Sequence, residues 1–515
     1  MTCVLGIDKG TTMTKAALFD VATGAVVATA RRPTKSFHPH PDWHQEDMRG
    51  TYDGVAAAIR EVISASGIRA EEITGVGVSG HMGGLWALNG EGEPAGPAIA
   101  WPDARAAGLL LRWKEEGKLD RLFEIAGNAP IPGLPLLLLA WLKENDRAFY
   151  DRIETVFLAK DYVNYRLTGI VATDESDLSL FPCDVRARKP SPELFELAGV
   201  GRMLSKLAPV KAIGEVVGRV TAQAALETGL AEGTPVVTGA GDAVAAAIGV
   251  GALESGQAVT VIGTSFMNNL TVDRPLFEPA GVGFLFLMPD GRWQRLMSNT
   301  GGGSLCLDWV LQAFGAKNYG KGETVDFSRV EAEARAAAPV GGLIVHPYFN
   351  TSGMSAPRFE PLARSSIFGV DLSTGPAELV RAVMEGVAFS MIDCYAALDA
   401  PVTQITITGG GARSPLWREI CASAMERPLS VPEAEETGAL GVALLAARAS
   451  GAYRTLPDAA RAMVRLAGTV EPDPCLSARY RAAYPLFRDL GRDLAPLWKL
   501  RAHLLQRSRP EKDVP

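Results

Sequence analysis

A buried strand that ends in a Gly-Thr turn occurs twice in this sequence, about half a chain apart. The strand at residues 3–8 is followed by Gly10-Thr11-Thr12, and the strand at residues 258–262 by Gly263-Thr264-Ser265. A single hydrophobic core rarely extends beyond about 250–300 residues. The chain of 515 residues therefore predicts two domains, each beginning with a hairpin able to contact phosphate.

The order of apolar runs and turn signals predicts a mixed α/β fold. Strand, turn, strand, turn and strand follow one another over residues 3–30, which favours an antiparallel opening. Apolar residues recur at helical spacing over residues 52–64, and another strand follows at residues 73–79. We predict an N-terminal domain at residues 1–248, a C-terminal domain at residues 249–505 and a polar tail at residues 506–515.

Charge and composition exclude several classes of function. The net charge of −7, from 51 basic and 58 acidic residues, argues against general binding to nucleic acids or to membrane phosphates. No apolar run approaches the roughly 18–20 residues of a membrane span, and the first residues do not resemble a signal peptide. Six scattered cysteines without a C-x-x-C predict buried, reduced thiols and a cytoplasmic location.

The phosphate chemistry differs from that of a P-loop protein. No G-x-x-x-x-G-K-[ST] occurs. A G-x-G-x-x-G at Gly75, Gly77 and Gly80 lies inside a strand pattern, which favours close packing against a neighbour over dinucleotide binding. In Gly10-Thr11-Thr12, backbone N–H groups and hydroxyls can cradle phosphate oxygens. Asp8 at the strand end can organise Mg²⁺ through water, although each turn taken alone is equally consistent with an ordinary turn.

A series of motifs resembles the FGGY carbohydrate kinases of the actin/hexokinase-like ATPase superfamily. The resemblance covers most of the chain and implies two ribonuclease-H-like domains around a central cleft. It also implies ATP and Mg²⁺ as cofactors, and phosphorylation of a sugar or polyol hydroxyl. The matching segments are Gly6-Ile7-Asp8-Lys9-Gly10-Thr11-Thr12, Pro41-Asp42-Trp43-His44-Gln45-Glu46-Asp47, Ala100-Trp101-Pro102-Asp103-Ala104-Arg105, Lys160-Asp161-Tyr162, Gly239-Ala240-Gly241-Asp242, Ile262-Gly263-Thr264-Ser265, Glu385-Gly386-Val387-Ala388-Phe389 and Gly409-Gly410-Gly411-Ala412-Arg413-Ser414.

The resemblance assigns the catalytic role to Asp242. This residue lies where the family has its general base, a carboxylate within hydrogen-bond reach of the attacking hydroxyl. Asp8 and Asp242 are the residues expected near Mg²⁺. The alternative for Asp242 is an N-cap of a helix at residues 243–250, a common role of Asp.

The resemblance also divides the binding residues between phosphate, adenosine and sugar. Gly10, Thr11, Thr12, Lys15, Gly263, Thr264 and Ser265 are expected at the phosphates, although Lys15 could also be a solvated strand residue. Gly302, Gly303, Gly410, Gly411 and Ser414 are expected on the adenosine side. The sugar is expected at His81, Met82, Trp101, Asp103 and Asp242, with core packing as the alternative for Trp101.

The choice of substrate is the least constrained inference. The sequence differs from the D-xylulose kinases at His81-Met82-Gly83-Gly84 and at Ala243, and from glycerol kinases at Met82-Gly83. Its overall sequence pattern resembles more closely the kinases for L-xylulose, 3-keto-L-gulonate or erythritol. We expect a ketopentose or tetritol as substrate, with a homodimer as an option suggested by the family. The alternative function is a catalytically silent or chaperone-like protein that binds nucleotide and sugar on the same fold.

Overall fold

The computed structural model describes residues 1–315, 320–321 and 324–507 and divides the chain into two units. Unit 1 contains Met1–Gln257, Thr271–Arg295 and Glu433–Arg465, and unit 2 contains Ala258–Leu270, Leu296–Pro432 and the segment from Leu466 onward. The chain therefore passes between the units more than once. The boundary at residues 248 and 249 stays a prediction.

The helices of the described residues are α1 (Met48–Ser66), α2 (Ala107–Glu115), α3 (Lys118–Ala126), α4 (Pro135–Asn145), α5 (Arg147–Arg152), α6 (Ala159–Thr168), α7 (Glu175–Leu178), α8 (Pro192–Leu197), α9 (Ala222–Thr228), α10 (Asp242–Gly249), α11 (Ser304–Val310), α12 (Phe327–Ala336), α13 (Pro376–Ala396), α14 (Pro415–Met425), α15 (Thr437–Ala449), α16 (Leu456–Met463) and α17 (Pro474–Arg507).

The strands of the described residues are β1 (Cys3–Lys9), β2 (Met13–Asp20), β3 (Val26–Pro33), β4 (Ser36–Phe37), β5 (Gln45–Glu46), β6 (Ile73–Gly80), β7 (Trp86–Leu88), β8 (Ala98–Ile99), β9 (Thr155–Phe157), β10 (Thr173–Asp174), β11 (Cys183–Asp184), β12 (Lys189–Pro190), β13 (Val210–Lys211), β14 (Val216–Arg219), β15 (Pro235–Val237), β16 (Ala240–Gly241), β17 (Gln257–Ile262), β18 (Phe266–Val272), β19 (Phe284–Leu287), β20 (Trp293–Asn299), β21 (Gly320–Lys321), β22 (Thr324–Val325), β23 (Ile344–His346), β24 (Ser366–Phe368), β25 (Gln404–Thr408), β26 (Leu429–Pro432) and β27 (Leu466–Val470).

A seven-stranded sheet organises unit 1, with the order β14-β15-β6-β1-β2-β3 and with β16 paired to β6. The antiparallel opening is confirmed, because β1 pairs with β2 and β2 with β3 in antiparallel register. Strand β6 then returns parallel to β1, so that Asp8 lies opposite Ser79 and Lys9 opposite Gly80. The ends of β1 and β6 therefore present their following loops at the same edge of the sheet.

Helix α1 forms where the spacing of apolar residues predicts a helix. Val55, Ile59 and Val62 recur at helical spacing and are fully buried. The Asp47 side chain caps the first turn, and Gly67 ends the helix with a left-handed φ of 66°. The helix predicted at residues 52–64 is thus confirmed, and its caps extend it at both ends.

Helix α15 packs directly on the backbone of β1 and β6. A Cβ at Gly6 would lie 1.9 Å from the Ala439 carbonyl oxygen, and one at Gly77 would lie 2.2 Å from the Val442 carbonyl oxygen. The glycines of the G-x-G-x-x-G therefore permit close packing inside a strand. This is the role favoured from the sequence.

Unit 2 is built around strands β17, β25 and β26, which belong to a second seven-stranded sheet of order β19-β20-β18-β17-β25-β26-β27. The long helix α13 is mostly buried, as its apolar composition predicts. Helix α17 continues to Arg507, and the rest of the predicted polar tail, residues 508–515, lies outside the described residues.

Two expectations from composition can be compared with the described residues. Five of the six free cysteines are buried, whereas Cys475 is exposed at the start of α17. Among these residues no helix combines the length and apolar character needed to cross a membrane.

Candidate active site

Asp242 lies at the point where unit 1 changes from strand to helix. Strand β16 ends at Gly241, and α10 begins at Asp242. Gly241 occupies the N-cap position, and the Asp242 Oδ1 accepts a hydrogen bond of 2.7 Å from the Ala243 N–H. Asp242 is therefore the first helical residue rather than the N-cap, and the residue is half-buried.

The electrostatic environment of Asp242 is unusual for a carboxylate. Burial and the negative charge of Asp8 together raise the pKa of Asp242 to about 7. A carboxylate with such a pKa can take up a proton near neutral pH, which is the property required of a general base.

Asp8, at the end of β1, is the partner in this pair of carboxylates. Burial raises its pKa, against the opposing effect of Lys15. Its Oδ1 atom is buried and has no hydrogen-bond partner among the described residues. A Cβ on Gly438, in the first turn of α15, would lie 3.4 Å from the carboxylate, so a glycine leaves space there.

The turn after β1 combines backbone groups and hydroxyls, as predicted. The Gly10 N–H donates to the Met13 carbonyl oxygen at 3.0 Å, and Thr12 is exposed at the tip. Lys15 is not a free solvated lysine, because its Nζ lies 2.8 Å from the Glu436 carboxylate. Glu436 also pairs with Arg31 at 2.5 Å, which leaves two cations around one largely buried carboxylate.

Two residues predicted on the sugar side differ in how their polar atoms are used. The Trp101 indole N–H donates to the Thr11 hydroxyl at 2.9 Å, so a predicted sugar residue contacts a predicted phosphate residue. Both Asp103 oxygens accept hydrogen bonds from Arg105, at 2.8 and 2.9 Å. The Asp103 charge is thereby neutralised by a guanidinium that lies 4.0 Å from the Trp43 ring centroid.

His81 and Met82, in the loop after β6, are both buried. The His81 Nε2 lies 3.3 Å from the Glu46 Oε1, and Glu46 forms an ion pair of 2.5 Å with the fully buried Lys9. Burial lowers the pKa of His81, which favours the neutral imidazole, against the opposing effect of Glu46. Met82 packs on the residue before the candidate base, since a Cβ at Gly241 would lie 2.5 Å from the Met82 sulfur.

The three glycine turns of unit 2 meet at one place. The Ser304 N–H donates to the Gly263 carbonyl oxygen at 2.7 Å, and a Cβ at Gly303 would lie 2.1 Å from the same oxygen. A Cβ at Gly411 would lie 2.4 Å from Ile262, directly before this turn. Thr264 is exposed at its tip, and Gly302 donates to the Asn299 carbonyl oxygen.

A cavity of about 830 Å³ lies beside these turns within unit 2. Ligand sites commonly have volumes of about 300–1,000 Å³. Its lining includes three of the predicted adenosine residues, together with residues of α11, α12 and α14. Those three residues are Gly410, Gly411 and Ser414. The Ser414 hydroxyl is also the N-cap of α14, because it accepts a hydrogen bond from the Trp417 N–H.

Sequence reasoning missed the buried charges that support these loops. Lys9, Glu46 and Lys160 lie within the matching motifs, but the sequence alone predicts no role for them. Their partners lie far away in sequence, as with Lys9 and Glu46, which are 37 residues apart. Only the placement of charged residues in otherwise apolar segments could have indicated them.

Comparison with known families identifies the chain. The N-terminal domain model of the FGGY family of carbohydrate kinases matches residues 3–249, and the C-terminal domain model matches residues 258–450. The chain belongs to the FGGY family of carbohydrate kinases. The predicted resemblance is therefore confirmed, and the class of enzyme is that of an ATP-dependent phosphotransferase acting on a carbohydrate hydroxyl.

Individual FGGY relatives agree over nearly the whole chain. The L-xylulose/3-keto-L-gulonate kinase of Escherichia coli K12 is 29% identical, covering 94% of this chain and 96% of that protein. The erythritol kinase of Brucella abortus is also 29% identical, covering 96% and 97%. The crystal structure of xylulose kinase from Rhodospirillum rubrum matches with a TM-score of 0.86 and 28% identity, covering 96% of this chain and all of that chain. The fold is thus the actin/hexokinase-like ATPase fold of the FGGY kinases.

Proposed function

We propose that this enzyme transfers the γ-phosphoryl group of ATP to a hydroxyl of a small uncharged ketose or polyol, with Asp242 as the general base. The observation that carries the proposal is the raised pKa of Asp242, the first residue of α10. Burial and the negative charge of Asp8 raise this pKa to about 7. A carboxylate with an ordinary pKa of about 4 would have far less affinity for the proton of an attacking hydroxyl.

In the proposed reaction, Asp242 accepts the proton of the attacking hydroxyl. The hydroxyl oxygen forms a bond to the γ-phosphorus, and the bond from that phosphorus to the β–γ bridging oxygen breaks, releasing ADP. Phosphoryl transfer depends mainly on positioning and on stabilisation of charge, so general-base catalysis contributes roughly 10²–10⁴-fold. Thr11 and Thr12 supply hydroxyls, and Gly10 supplies the backbone turn, on the phosphate side of unit 1.

The nucleoside is assigned to the cavity of unit 2. The cavity has the volume of a ligand site, and its lining contains the backbone of Gly410 and Gly411 beside the N-cap Ser414. The adjoining turns contain Gly263, Thr264 and Ser265 and, in a second segment, Gly302 and Gly303. The Gly263 and Gly302 N–H groups donate within the turns. The phosphate contacts proposed here therefore come from the remaining backbone N–H groups and from the exposed Thr264 hydroxyl.

The residues around Asp8 fit a bound Mg²⁺. The Asp8 Oδ1 is buried without a hydrogen-bond partner among the described residues, and two adjacent carboxylates repel each other without a cation. Asp8 would hold the ion largely through water, with Asp242 nearby, since Mg²⁺ retains much of its hydration. When bound, Mg²⁺ supplies charge neutralisation for the transferred phosphoryl group.

The charges around the sugar residues favour a neutral substrate. Burial lowers the pKa of His81, Arg105 forms an ion pair with Asp103, and Glu46 forms an ion pair with Lys9. The cations of Lys9 and Arg105 are therefore already paired and are not free to bind a sugar carboxylate. One relative is named for erythritol, and another for L-xylulose together with the sugar acid 3-keto-L-gulonate. With the paired charges, the erythritol and L-xylulose names support a ketopentose or a tetritol.

The test of the proposed base is the Asp242→Asn variant. We expect phosphoryl transfer to be lost while the affinity for ATP, measured by calorimetry, stays within about twofold of the wild type. The matched control is Asp47→Asn, which makes the same change at the N-cap of α1 and should retain full activity. Substantial transfer by the Asp242→Asn variant would contradict the assigned role.

A further inference from the structure

A buried serine contacts the backbone immediately before the candidate base. The Gly241 N–H donates a hydrogen bond of 2.8 Å to the Ser176 hydroxyl oxygen, and Ser176 is fully buried. Gly241 is the N-cap of α10 and has no side chain with which to fix the entry of the helix. Its backbone is held by the pairing of β16 with β6, where Gly241 lies opposite Gly80, and by the Ser176 hydroxyl at its N–H group, while Met82 fills the space beside its α-carbon.

The Ser176 hydroxyl is itself oriented by a carboxylate. Both its O–H and its backbone N–H donate to the Asp174 Oδ1, the latter at 2.7 Å. A serine hydroxyl has one hydrogen and two lone pairs. Because its hydrogen is directed to Asp174, a lone pair remains for the Gly241 N–H, and the two hydrogen bonds strengthen each other.

Asp174 is held in turn by a buried lysine on α6. The Lys160 ammonium forms ion pairs with Asp161, Asp174 and Asp177, the last at 3.0 Å, and all four side chains are almost completely buried. These three carboxylates have the spacing of a metal site, but a lysine ammonium already lies among them. Burial raises the pKa of Asp161 and of Asp177, against the opposing effect of Lys160.

Helix α6 also contacts the chain on the other side of Gly241. Asn164, one turn after Lys160, donates a hydrogen bond of 2.9 Å from its side-chain amide to the Thr238 carbonyl oxygen. Two connections therefore join the segment from Thr238 to Asp242 to α6. One is the direct hydrogen bond from Asn164, and the other runs from Lys160 through Asp174 and Ser176.

We propose that Lys160, Asp174 and Ser176 form a positioning relay, in which a buried ion pair fixes the Ser176 hydroxyl and this hydroxyl fixes the first turn of α10 and the direction of the Asp242 carboxylate. The inference rests on the proposed role of Asp242. A displacement of about 1 Å of a reacting group can reduce a rate by about 10²-fold, so the relay acts on the rate of transfer rather than on binding.

The first test replaces Ser176 with alanine in the full-length enzyme. With ATP and the best substrate from a panel of ketoses and polyols, we expect kcat to fall about 10- to 100-fold. We expect KM for the sugar and KM for ATP to stay within about threefold, because Ser176 is fully buried and is not among the residues assigned to either ligand.

Ser179 provides a matched control in the same segment. It is fully buried, and its hydroxyl also accepts a backbone N–H at 2.8 Å, but from Leu287 and not from Gly241, and it donates to the Glu175 carbonyl oxygen. Ser179→Ala should lower the unfolding temperature about as much as Ser176→Ala while leaving kcat unchanged. If Ser176→Ala does not fold, Ser176→Cys decides the question, since the thiol keeps the volume but is a weak acceptor.

Two results would overturn the relay. The first is an equal effect of the Ser176 and Ser179 variants on kcat, with Asp242→Asn inactive; the role of Asp242 then stands and Ser176 is only structural. The second is full activity of Asp242→Asn, which removes both the proposed base and the need to position it. A selective loss of kcat at Ser176, with Asp242→Asn inactive, supports the relay.

Discussion

The pair of Asp8 and Asp242 is the central feature at the scale of single residues. Asp242 is partly exposed and follows a glycine N-cap, yet its pKa lies near 7 because it is desolvated beside a second carboxylate. Such an arrangement is costly for folding, since an ionised Asp242 is less stable in the folded protein than in the unfolded chain. A costly carboxylate in this position is consistent with selection for chemistry rather than for stability.

This cost predicts how stability depends on pH in the ligand-free protein. The folded-state pKa of Asp242 is raised, so its contribution to stability is present at low pH and is lost as pH rises from about 4 to about 7. Asp242→Asn should therefore become more stable than the wild type by up to about 4 kcal/mol at pH 8 but not at pH 4. Denaturant unfolding at both pH values measures this difference, and an equal difference at the two would contradict the raised pKa.

The sequence predicted Asp242 and the phosphate turns because each lies in a short contiguous motif. It did not predict Gly438 against Asp8 or Glu46 against Lys9, because such pairs depend on the fold and not on local spacing. The motif predicts Asp103 as a sugar residue. The structure shows in addition that Arg105 donates hydrogen bonds to the Asp103 carboxylate, a pairing that the motif alone does not predict.

At the scale of elements, close packing of α15 on β1 and β6 positions the edge of the sheet that carries Asp8. The strands themselves were predictable from their apolar runs. Their neighbour α15 was not, because Gly77 and Val442 are brought together only by the tertiary fold. The glycines were the one available signal, since a glycine inside a strand often marks close approach of another backbone.

Gly77→Ala tests this packing. The added methyl would lie 2.2 Å from the Val442 carbonyl oxygen, and backbone atoms cannot move aside as a flexible side chain can. We expect a loss of about 1–3 kcal/mol in unfolding free energy. Gly54→Ala is the control, since nothing lies within 4 Å of its added methyl in α1, and it should gain up to about 1 kcal/mol. Similar stabilities of the two variants would contradict the packing described.

The N-cap of α14 links an element of unit 2 to the proposed nucleotide cavity. Ser414→Ala removes the cap and a polar group of the lining, so it should cost about 1 kcal/mol of stability and weaken ATP binding several-fold. Ser191→Ala, at the N-cap of α8 in unit 1, should have a similar cost without an effect on ATP. Calorimetric titration of both variants compares them, and equal affinity for ATP would remove Ser414 from the site.

At the scale of the whole molecule, two domains were predictable from length and from the repeated turn. The family comparison covers both halves, with its two domain models at residues 3–249 and 258–450. The sequence could not predict that Thr271–Arg295 and Glu433–Arg465 belong with the first unit, because later segments return to it through tertiary packing. The net charge of −7 is compatible with ATP, since backbone N–H groups and a cation can meet phosphate locally.

The most direct test of the proposed function is ADP release by the wild-type enzyme, in a coupled assay with ATP, Mg²⁺ and a panel of ketopentoses, tetritols and sugar acids. We predict slow release with ATP alone, and release at least 10²-fold faster with one neutral ketose or polyol, accompanied by its phosphate ester in the mass spectrum. ATP turnover that no sugar in the panel changes, or a clear preference for a sugar acid, would contradict the proposed substrate class.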